Sequence, residues 1–359
     1  MKSIIIVFIS IFSLLNDAHS QNPTQEDIKK DIKEIVLSGR SAGIGTGVLK
    51  GDSIIFNHSQ GYSNLNTKTP FTEKTITRLA SIAKPMTAAA IMQLVEKGQV
   101  KLSDPISKFI PTLKNKKLRD ATVQNLLEQS AGIKAYKNKK EAHNRTHYPT
   151  LLNAANVFME RKLLFDPSTG FRYSSYNYTL LGIVIEKSSG LTYEEYMQEN
   201  IFDKAGMTST SIEVVMEYPE GKSRIFRRDK PHQFQTVDDN SLSDRIPGGG
   251  IQSSVKDVLL FAKAIVNNTL ISEESLKTIS TDSGYKKEGN PYGMGWFIYG
   301  HGDNGSVIGH SGGQLGCSSF LFVLPEKKIA SVVLANTSGV DEVIKIANDL
   351  FIQAVKENN

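Results

Sequence analysis

The strand patterns of this 359-residue chain lie near its two ends, and a long helical stretch separates them. Near the start, two apolar runs within 43–61 flank Lys50-Gly51-Asp52, a spacing that predicts a β-hairpin with glycine at its turn. Near the end, strand patterns and one final helical pattern follow at 294–299, 318–324, 329–335 and 341–355. Two distant parts of the chain must therefore complete one sheet.

The middle of the chain carries apolar residues at helical spacing. These helical patterns cover 82–97, 122–128, 151–161, 177–189, 193–201 and 255–266. We therefore predict an α/β fold of the α+β type, in which an antiparallel sheet flanked by N- and C-terminal helices holds a large, mainly helical insertion. We expect residues 21–80 and 292–359 to form the sheet domain and 81–291 the helical domain, with the functional site at their interface.

Composition narrows the classes of function. Lys and Arg number 42 against 37 Asp and Glu, a net charge of +5, and 39% of the residues are hydrophobic, as in an ordinary globular protein. The positive charge is spread along the chain, so we expect no nucleic-acid partner. The single cysteine, Cys317, excludes a disulfide framework and a multi-cysteine zinc site, and we interpret it as a small core residue.

The first 20 residues have the order of a secretory signal peptide. Lys2 precedes an almost unbroken apolar run over 4–15, and Ala18-His19-Ser20 supplies small residues before Gln21. The apolar run is shorter than the roughly 18–20 residues that span a bilayer, and no later run reaches that length. We therefore expect cleavage of residues 1–20, a secreted or periplasmic location, and no stable membrane insertion.

The pattern Ser-x-x-Lys puts a hydroxyl and an amine one helical turn apart, so that the amine can accept the hydroxyl proton. It occurs three times, at Ser81/Lys84, Ser253/Lys256 and Ser283/Lys286. The third pair lies in a polar segment that is typical of a loop. The second begins a helix whose apolar face leaves its lysine on the polar side, where water solvates the amine.

The first pair differs because the helix that follows it is apolar on nearly all sides. Within 82–95 only three residues are polar, namely Lys84, Thr87 and Gln93. The pattern predicts an interior helix, where a lysine needs a partner or a lowered pKa. Ser81 is then either a nucleophile activated by a desolvated amine at a helix N-terminus, or an N-cap above a lysine that extends to solvent.

Two further segments carry groups suited to a site. Residues 171–182 concentrate hydroxyls at the start of an apolar helix, and three of these hydroxyls belong to tyrosines. Gly309-His310-Ser311-Gly312-Gly313 precedes a strand pattern, and its small residues would let a ligand approach the backbone closely. Each segment alone is equally compatible with a capped helix start or a Gly-rich turn.

Taken in order, Ser81-Ile82-Ala83-Lys84, Tyr173-Ser174-Ser175 and His310-Ser311-Gly312 resemble the three-part signature of the serine β-lactamase and penicillin-binding superfamily. That signature is Ser-x-x-Lys, Tyr-x-Asn and Lys/His-x-Gly. The resemblance covers nearly the whole chain after the leader and is greatest to class C β-lactamases, related D-peptidases and family VIII esterases. It implies a β-lactamase/transpeptidase-like fold.

The resemblance also implies catalytic roles. Ser81 would be the acylated nucleophile and Lys84 its proton partner. Tyr173 would pass the proton to the leaving group and then activate water, its phenolate favoured by positive charge on Lys84 and His310. His310 would lie beside Tyr173 and contact the substrate.

The remaining implied roles concern substrate binding. The N–H groups of Ser81 and Gly313 would form the oxyanion hole, while Gly312 and Ser175 would contribute to substrate binding. Ser175 stands where the family most often has Asn, which replaces an amide by a hydroxyl. His310 stands where many β-lactamases have Lys, and a neutral imidazole attracts a substrate carboxylate less than an ammonium does.

One further segment departs from the family pattern. In Leu126-Leu127-Glu128-Gln129-Ser130-Ala131-Gly132, Gln129 and Ala131 replace the His and Ser of the usual Leu-Leu-x-His-x-Ser-Gly. We interpret these two positions as structural, so their exchange should leave catalysis in place.

Other patterns are less favoured. The segment 309–313 also fits Gly-x-Ser-x-Gly, which would make Ser311 the nucleophile of an α/β-hydrolase, but that fold needs a following helix and a later histidine. The glycines of 43–47 lead into a strand pattern, unlike a phosphate-binding loop. His143 and His147 have a spacing used by metal ligands, yet their polar surroundings favour solvated side chains.

We predict a serine hydrolase that forms a Ser81 acyl-enzyme on an amide, β-lactam or ester without a metal or cofactor. The expected partner is a small-molecule or peptide substrate, and the oligomeric state stays open. Ser175 and His310 favour a broad peptidase or esterase with weak β-lactamase activity. The alternative, motivated by Ser175 and by Gln129 with Ala131, is a penicillin-binding or sensing protein that acylates slowly or never deacylates.

Overall fold

The computed structural model describes residues 23–215, 217–237, 240–302 and 305–356, and the predicted leader at 1–20 lies outside them. Its strands are β1 (Gly43–Lys50), β2 (Ser53–Asn64), β3 (Thr69–Pro70), β4 (Thr77–Arg78), β5 (Ser211–Ile212), β6 (Phe226–Lys230), β7 (Gln233–Thr236), β8 (Ile251–Ser253), β9 (Phe297–Gly302), β10 (Gly305–Gln314), β11 (Cys317–Leu324) and β12 (Ile329–Ala335).

The α-helices are α1 (Gln25–Leu37), α2 (Ala83–Glu96), α3 (Lys116–Arg119), α4 (Val123–Leu127), α5 (Lys139–Ala142), α6 (Leu151–Ala155), α7 (Ser175–Ser189), α8 (Tyr193–Met197), α9 (Asp203–Ala205), α10 (Ile246–Gly249), α11 (Val255–Val266), α12 (Glu273–Ile279) and α13 (Glu342–Lys356). Short 3₁₀ segments lie at Ala80–Ile82, Ile106–Lys108 and Pro325–Lys327, and a π-helical segment at Gln198–Phe202. Among the described residues, no helix has the length and apolar character needed to cross a bilayer.

The main sheet joins the two ends of the chain. Within the described residues it has seven strands in the antiparallel order β3-β2-β1-β12-β11-β10-β9. Strand β1 pairs with β12, from Ile44 opposite Ala335 to Lys50 opposite Ile329. The predicted hairpin is β1–β2, with Gly51 in its turn at a φ of +59°. The prediction of one antiparallel sheet completed by both ends of the chain is confirmed.

Helices cover both faces of this sheet. Because side chains alternate along a strand, Phe320 and Phe322 of β11 lie in one apolar cluster with α1 and α13, whereas Leu321 and Val323 lie in the other with α11. Helix α11 packs against β1 and β12. It falls inside the range 81–291 that the sequence assigned to the helical domain, so one apolar core runs through that boundary, and the division into domains stays a prediction.

The helical half of the molecule is built around two interior helices that pack against each other. In α2 every residue from Ala83 to Leu94 is buried, as the apolar pattern of 82–95 predicts. In α7 every residue from Tyr176 to Ile185 is buried. Helix α2 therefore carries Lys84 into the centre of the molecule.

Two segments differ from their predicted structure. Residues 309–313, predicted as a Gly-rich segment before a strand, are part of β10 and pair with β11, with Gly312 opposite Ser319. The helix predicted over 151–161 ends at Ala155, because the chain continues in tighter turns with hydrogen bonds such as Phe158 N–H to Ala155 O at 3.0 Å.

The close approach of β10 to the segment before α2 yields a stability prediction. A Cβ on the buried Gly312 would lie 2.1 Å from Ser319 Oγ and 2.3 Å from the Leu79 carbonyl oxygen. We expect Gly312→Ala to lower the free energy of unfolding by about 1–3 kcal/mol, because backbone atoms would have to move. Urea unfolding measures this change.

The neighbouring glycine is the matched control. A Cβ on Gly313 would meet no atom within 4 Å. Gly313→Ala should therefore change the free energy of unfolding by less than about 0.5 kcal/mol. Equal destabilisation by the two substitutions would contradict the packing described for Gly312.

Candidate active site

The 3₁₀ segment before α2 presents Ser81 at the junction of the sheet and the helices. Leu79 is anchored on both sides, because its N–H donates to Ile251 O at 3.0 Å and its carbonyl accepts from Ser319 Oγ at 2.9 Å. Ala80, the residue before Ser81, has a φ of +50°, a conformation that non-glycine residues adopt only when their surroundings enforce it. The backbone strain is thus stored next to the candidate nucleophile.

Lys84 lies one turn further along and is fully buried. Its Nζ is 2.9 Å from Ser81 Oγ and 3.2 Å from Ser175 Oγ, and it donates a hydrogen bond to the Gly248 carbonyl oxygen at 2.6 Å. The lysine is therefore not extended to solvent, which removes the N-cap alternative of the sequence analysis. Its amine contacts the Ser81 hydroxyl directly.

Burial favours the neutral form of this amine. The pKa of Lys84 is held well below its usual value, first by burial and then by the charge of Arg245. A neutral amine has two N–H donors and one lone pair. Because the Gly248 carbonyl can only accept and Ser175 Oγ can take the second donor, the lone pair is left to accept the Ser81 O–H.

The other two Ser-x-x-Lys pairs do not form this contact. Ser253 Oγ is buried and lies 2.6 Å from Thr210 Oγ1, whereas Lys256 is exposed. Ser283 donates to the Tyr292 carbonyl, and Lys286 donates to Glu288 O. Only the Ser81 pair brings hydroxyl and amine together among the described residues.

Helix α10 supplies the group that fixes Lys84, and the sequence analysis did not single it out. Besides Gly248 O, which binds Lys84, the Pro247 carbonyl accepts from Thr87 Oγ1 at 2.7 Å. A Cβ on Gly248 would lie 3.0 Å from both Cβ and O of Ser175, so glycine permits the close approach of α10 to α7. The available signal was the run of glycines at 248–250 after a proline.

Tyr173 lies close to both Lys84 and His310. Its ring centroid is 4.9 Å from Lys84 Nζ, and its hydroxyl oxygen is 3.4 Å from His310 Nε2. Gln129 holds the loop that carries this tyrosine, since its Oε1 accepts from Ser174 N–H at 2.9 Å and from Asn177 Nδ2 at 2.5 Å. The three sequence segments singled out above therefore meet at one place.

Burial opposes the phenolate that positive charge was expected to favour at Tyr173. Burial, followed by the neighbouring Tyr292, raises the pKa of the Tyr173 hydroxyl well above its usual value. The expectation relied on positive charge at Lys84 and His310, but burial favours the neutral form of both groups. The raised pKa favours the protonated phenol of Tyr173 at neutral pH.

His310 is buried and held in one tautomer. Its Nδ1 lies 2.7 Å from the Ser311 carbonyl oxygen, which can only accept, so Nδ1 carries the proton and Nε2 is the acceptor that faces Tyr173. The pKa of His310 is lowered to about 3, chiefly by burial. The side chain thus offers no positive charge to a substrate.

The three expected substrate-binding positions lie in different environments. Gly313 is exposed near the end of β10, beyond Gly309 where pairing with β9 stops. Gly312 is buried against Leu79, so packing alone accounts for its glycine. Ser175 lies beside Lys84 and its hydroxyl is engaged by the amine.

The tautomer of His310 can be tested directly. We expect long-range ¹H–¹⁵N NMR spectra to show a neutral, Nδ1-protonated imidazole for His310 from pH 5 to pH 8, because its pKa lies near 3. The spectrum of His310→Gln assigns the signal. A titration of this imidazole between pH 5 and pH 7 would contradict the buried, neutral histidine described above.

Comparison with known proteins tests independently whether this chain belongs to a known family. The Beta-lactamase family model matches residues 28–354. Penicillin-binding protein 4* of Bacillus subtilis (strain 168) is 27% identical over 305 residues, which cover 80% of this chain and 66% of that protein. This chain thus spans just under two thirds of the length of that relative.

Solved structures agree. The octameric penicillin-binding protein homologue from Pyrococcus abyssi has a TM-score of 0.80 at 27% identity, and the match covers 93% of this chain and 77% of that one. The D-amino acid amidase from Ochrobactrum anthropi SV3, solved with L-phenylalanine amide, has a TM-score of 0.79 at 20% identity, over 93% and 99% of the two chains. The second likeness concerns the fold alone. With a family model that spans most of its length, this chain belongs to the Beta-lactamase family, within the serine β-lactamase and penicillin-binding superfamily.

Proposed function

We propose that this protein is a serine hydrolase that forms an acyl-enzyme at Ser81 on an amide, β-lactam or ester and then hydrolyses it. The observation that carries the proposal is the contact of 2.9 Å between Ser81 Oγ and the buried Lys84 Nζ, an amine whose other hydrogen bonds are to Gly248 O and Ser175 Oγ. Membership in a family of hydrolases and penicillin-binding proteins supports it.

Acylation begins with neutral Lys84. Its lone pair takes the Ser81 proton while Oγ attacks the substrate carbonyl, and the N–H groups of Ser81 and Gly313 stabilise the oxyanion. As the bond to the leaving group breaks, Tyr173 donates its phenolic proton to that group. The acyl-enzyme then contains a Lys84 ammonium and a Tyr173 phenolate, which stabilise each other at close range.

Deacylation returns both groups to their resting forms. The Tyr173 phenolate removes a proton from water, the resulting hydroxide attacks the acyl carbon, and the Lys84 ammonium protonates the departing Ser81 oxygen. Each group ends in the form that its resting pKa favours, a neutral amine and a protonated phenol. His310 Nε2 accepts a hydrogen bond from the phenol and so orients it.

The proposed substrate class rests on the neutral charge of His310. A neutral His310 offers no cation at the position where many β-lactamases have lysine, so a substrate carboxylate gains little there. We therefore propose a broad peptidase, amidase or esterase with weak β-lactamase activity. The neighbouring structure of a D-amino acid amidase is in keeping with an amide substrate.

A second candidate function rests on Ser175. Its hydroxyl is engaged by Lys84 at 3.2 Å, so it is less available to hold a substrate amide. A penicillin-binding or sensing protein that acylates without turnover would tolerate this loss. Export through the leader at 1–20 to the periplasm or the exterior belongs to the same proposal and concerns residues outside the described ones.

The nucleophile is tested by covalent labelling and turnover. We expect a fluorophosphonate to label Ser81, located by mass spectrometry of peptides, and Ser81→Ala to lose both labelling and hydrolysis. Ser311→Ala is the matched control, because it removes the hydroxyl of the α/β-hydrolase alternative, and it should keep both. Full labelling of Ser81→Ala would refute the proposal.

The same preparation distinguishes the substrate classes. Turnover of nitrocefin, a short-acyl nitrophenyl ester and a D-Ala-D-Ala peptide should be fastest for the ester or the peptide. One stoichiometric acylation with no turnover on all three would favour the sensing function instead.

The role of Lys84 predicts a pH dependence. Because only the neutral amine can accept the Ser81 proton, kcat/KM should rise with pH through the lowered pKa of Lys84 and then stay level to about pH 9, since the pKa of Tyr173 lies well above its usual value of about 10. Lys84→Met should reduce kcat/KM by about 10²–10⁴-fold. A rate that falls between pH 6 and pH 9 would contradict the neutral base.

A further inference from the structure

An open cleft is lined by Ile246 of α10, and Lys84 does not line it. Its volume is about 480 Å³, within the range of small-molecule sites, and none of the candidate catalytic residues lines it. The end of α7, the starts of α8 and α6, and Ile246 of α10 contribute to its walls. We call it the Glu186 cleft after the half-buried carboxylate at its side.

The lining of the Glu186 cleft combines apolar and neutral polar side chains with negative charge. Its apolar and aromatic part is formed by Tyr148, Leu151, Leu191, Tyr193, Ile212 and Ile246. The charged residues in the lining are Glu186 and Glu194, and no lysine, arginine or histidine lines it. A ligand that complements these walls combines an apolar body with a positive charge.

Glu186 has no cationic partner in the part of the chain that the structure describes. Its Oε1 accepts a hydrogen bond from Tyr193 N–H at 3.3 Å, and neither oxygen forms an ion pair with a lysine or arginine there. Burial raises the pKa of this carboxyl, and the hydrogen bond and the adjacent Lys187 lower it less. A bound cation would remove the desolvation penalty of the ionised form.

The walls of the cleft are held in place by the active-site helices. The Tyr193 hydroxyl lies 2.7 Å from Thr87 Oγ1 of α2, and Thr87 also donates to Pro247 O. Glu186 lies on α7, whose preceding turns are buried. The cleft is therefore formed before any ligand binds, which limits the entropic penalty of binding.

From this combination we propose that the Glu186 cleft is a second binding site, separate from the Ser81 site, for a small primary amine with an aromatic or branched apolar body. The ammonium pairs with the Glu186 carboxylate, and the apolar body packs between Leu191, Ile212 and Ile246. The site recognises both the positive charge and the apolar shape of the ligand. This inference stands independently of the hydrolase proposal.

The test compares two probes of the same shape. We expect 2-phenylethylamine to bind the wild-type protein at pH 7 with a dissociation constant below about 1 mM, at least tenfold more tightly than neutral 2-phenylethanol. Calorimetry gives the affinities, and amide NMR shifts around Leu191 and Ile246 locate the site. Ser81→Ala should leave both affinities unchanged, which separates this site from the catalytic one.

Matched variants assign the charge. Glu186→Gln keeps an acceptor for Tyr193 N–H and should weaken the amine at least tenfold while leaving the alcohol unchanged. Glu220→Gln makes the same charge change at an exposed residue that does not line the cleft, and it should have no effect. Leu191→Trp, which fills the cleft, should weaken both probes. Equal affinity for amine and alcohol, equal effects of the two Glu variants, or no saturable binding at about 10 mM would overturn the proposal.

Discussion

The burial of one amine is the constraint on which the rest of this structure depends. Lys84 lies inside a helix that is buried on all sides, and a charged ammonium there would lack the water that normally stabilises it. The Gly248 carbonyl oxygen accepts one N–H of the amine. In the neutral form, Ser175 Oγ accepts the other N–H, and the nitrogen lone pair accepts the Ser81 O–H. A neutral Lys84 lacks the positive charge that would favour ionisation of Tyr173, and burial favours the uncharged form of both groups.

Elements from distant parts of the chain surround this amine. A strand from the end of the chain, β10, runs beside the segment that carries Ser81, and Gly312 lets the two backbones approach closely. Helix α10 contacts Lys84 through the Gly248 carbonyl oxygen, and Gly248 also lets α10 pack closely against Ser175 of α7. Both chain ends complete the sheet, and the early segment that carries Ser81 thereby lies beside the late strand β10.

Part of this arrangement could be predicted from the sequence. The apolar surroundings of Lys84 distinguished the Ser81 pair from two other Ser-x-x-Lys matches, and the strand patterns at both ends predicted the joined sheet. The carbonyl of Gly248 could not be found in this way, because a backbone acceptor 164 residues away has no side-chain signature. The strand at 309–313 was not predicted because the segment is rich in glycine, and glycine is depleted in strands.

The charge of Tyr173 does not follow from the sequence, because two effects on its pKa oppose each other. Nearby positive charge lowers a phenol pKa, whereas burial raises it, and the sequence gives the neighbours without the depth. The structure resolves the balance, since burial is the largest influence on Tyr173, Lys84 and His310 alike. Of the site residues predicted from the sequence, Tyr173 is the one whose expected charge is disfavoured by burial.

The most direct test is a titration of the Lys84 side chain itself. In protein labelled with ¹³C and ¹⁵N at lysine, with Lys84→Arg used to assign the signal, the Cε and Nζ shifts report the charge on the amine. We predict a neutral Lys84 amine at pH 8 in the folded protein. A Lys84 signal that stays that of an ammonium up to pH 10, while the protein remains folded, would contradict it.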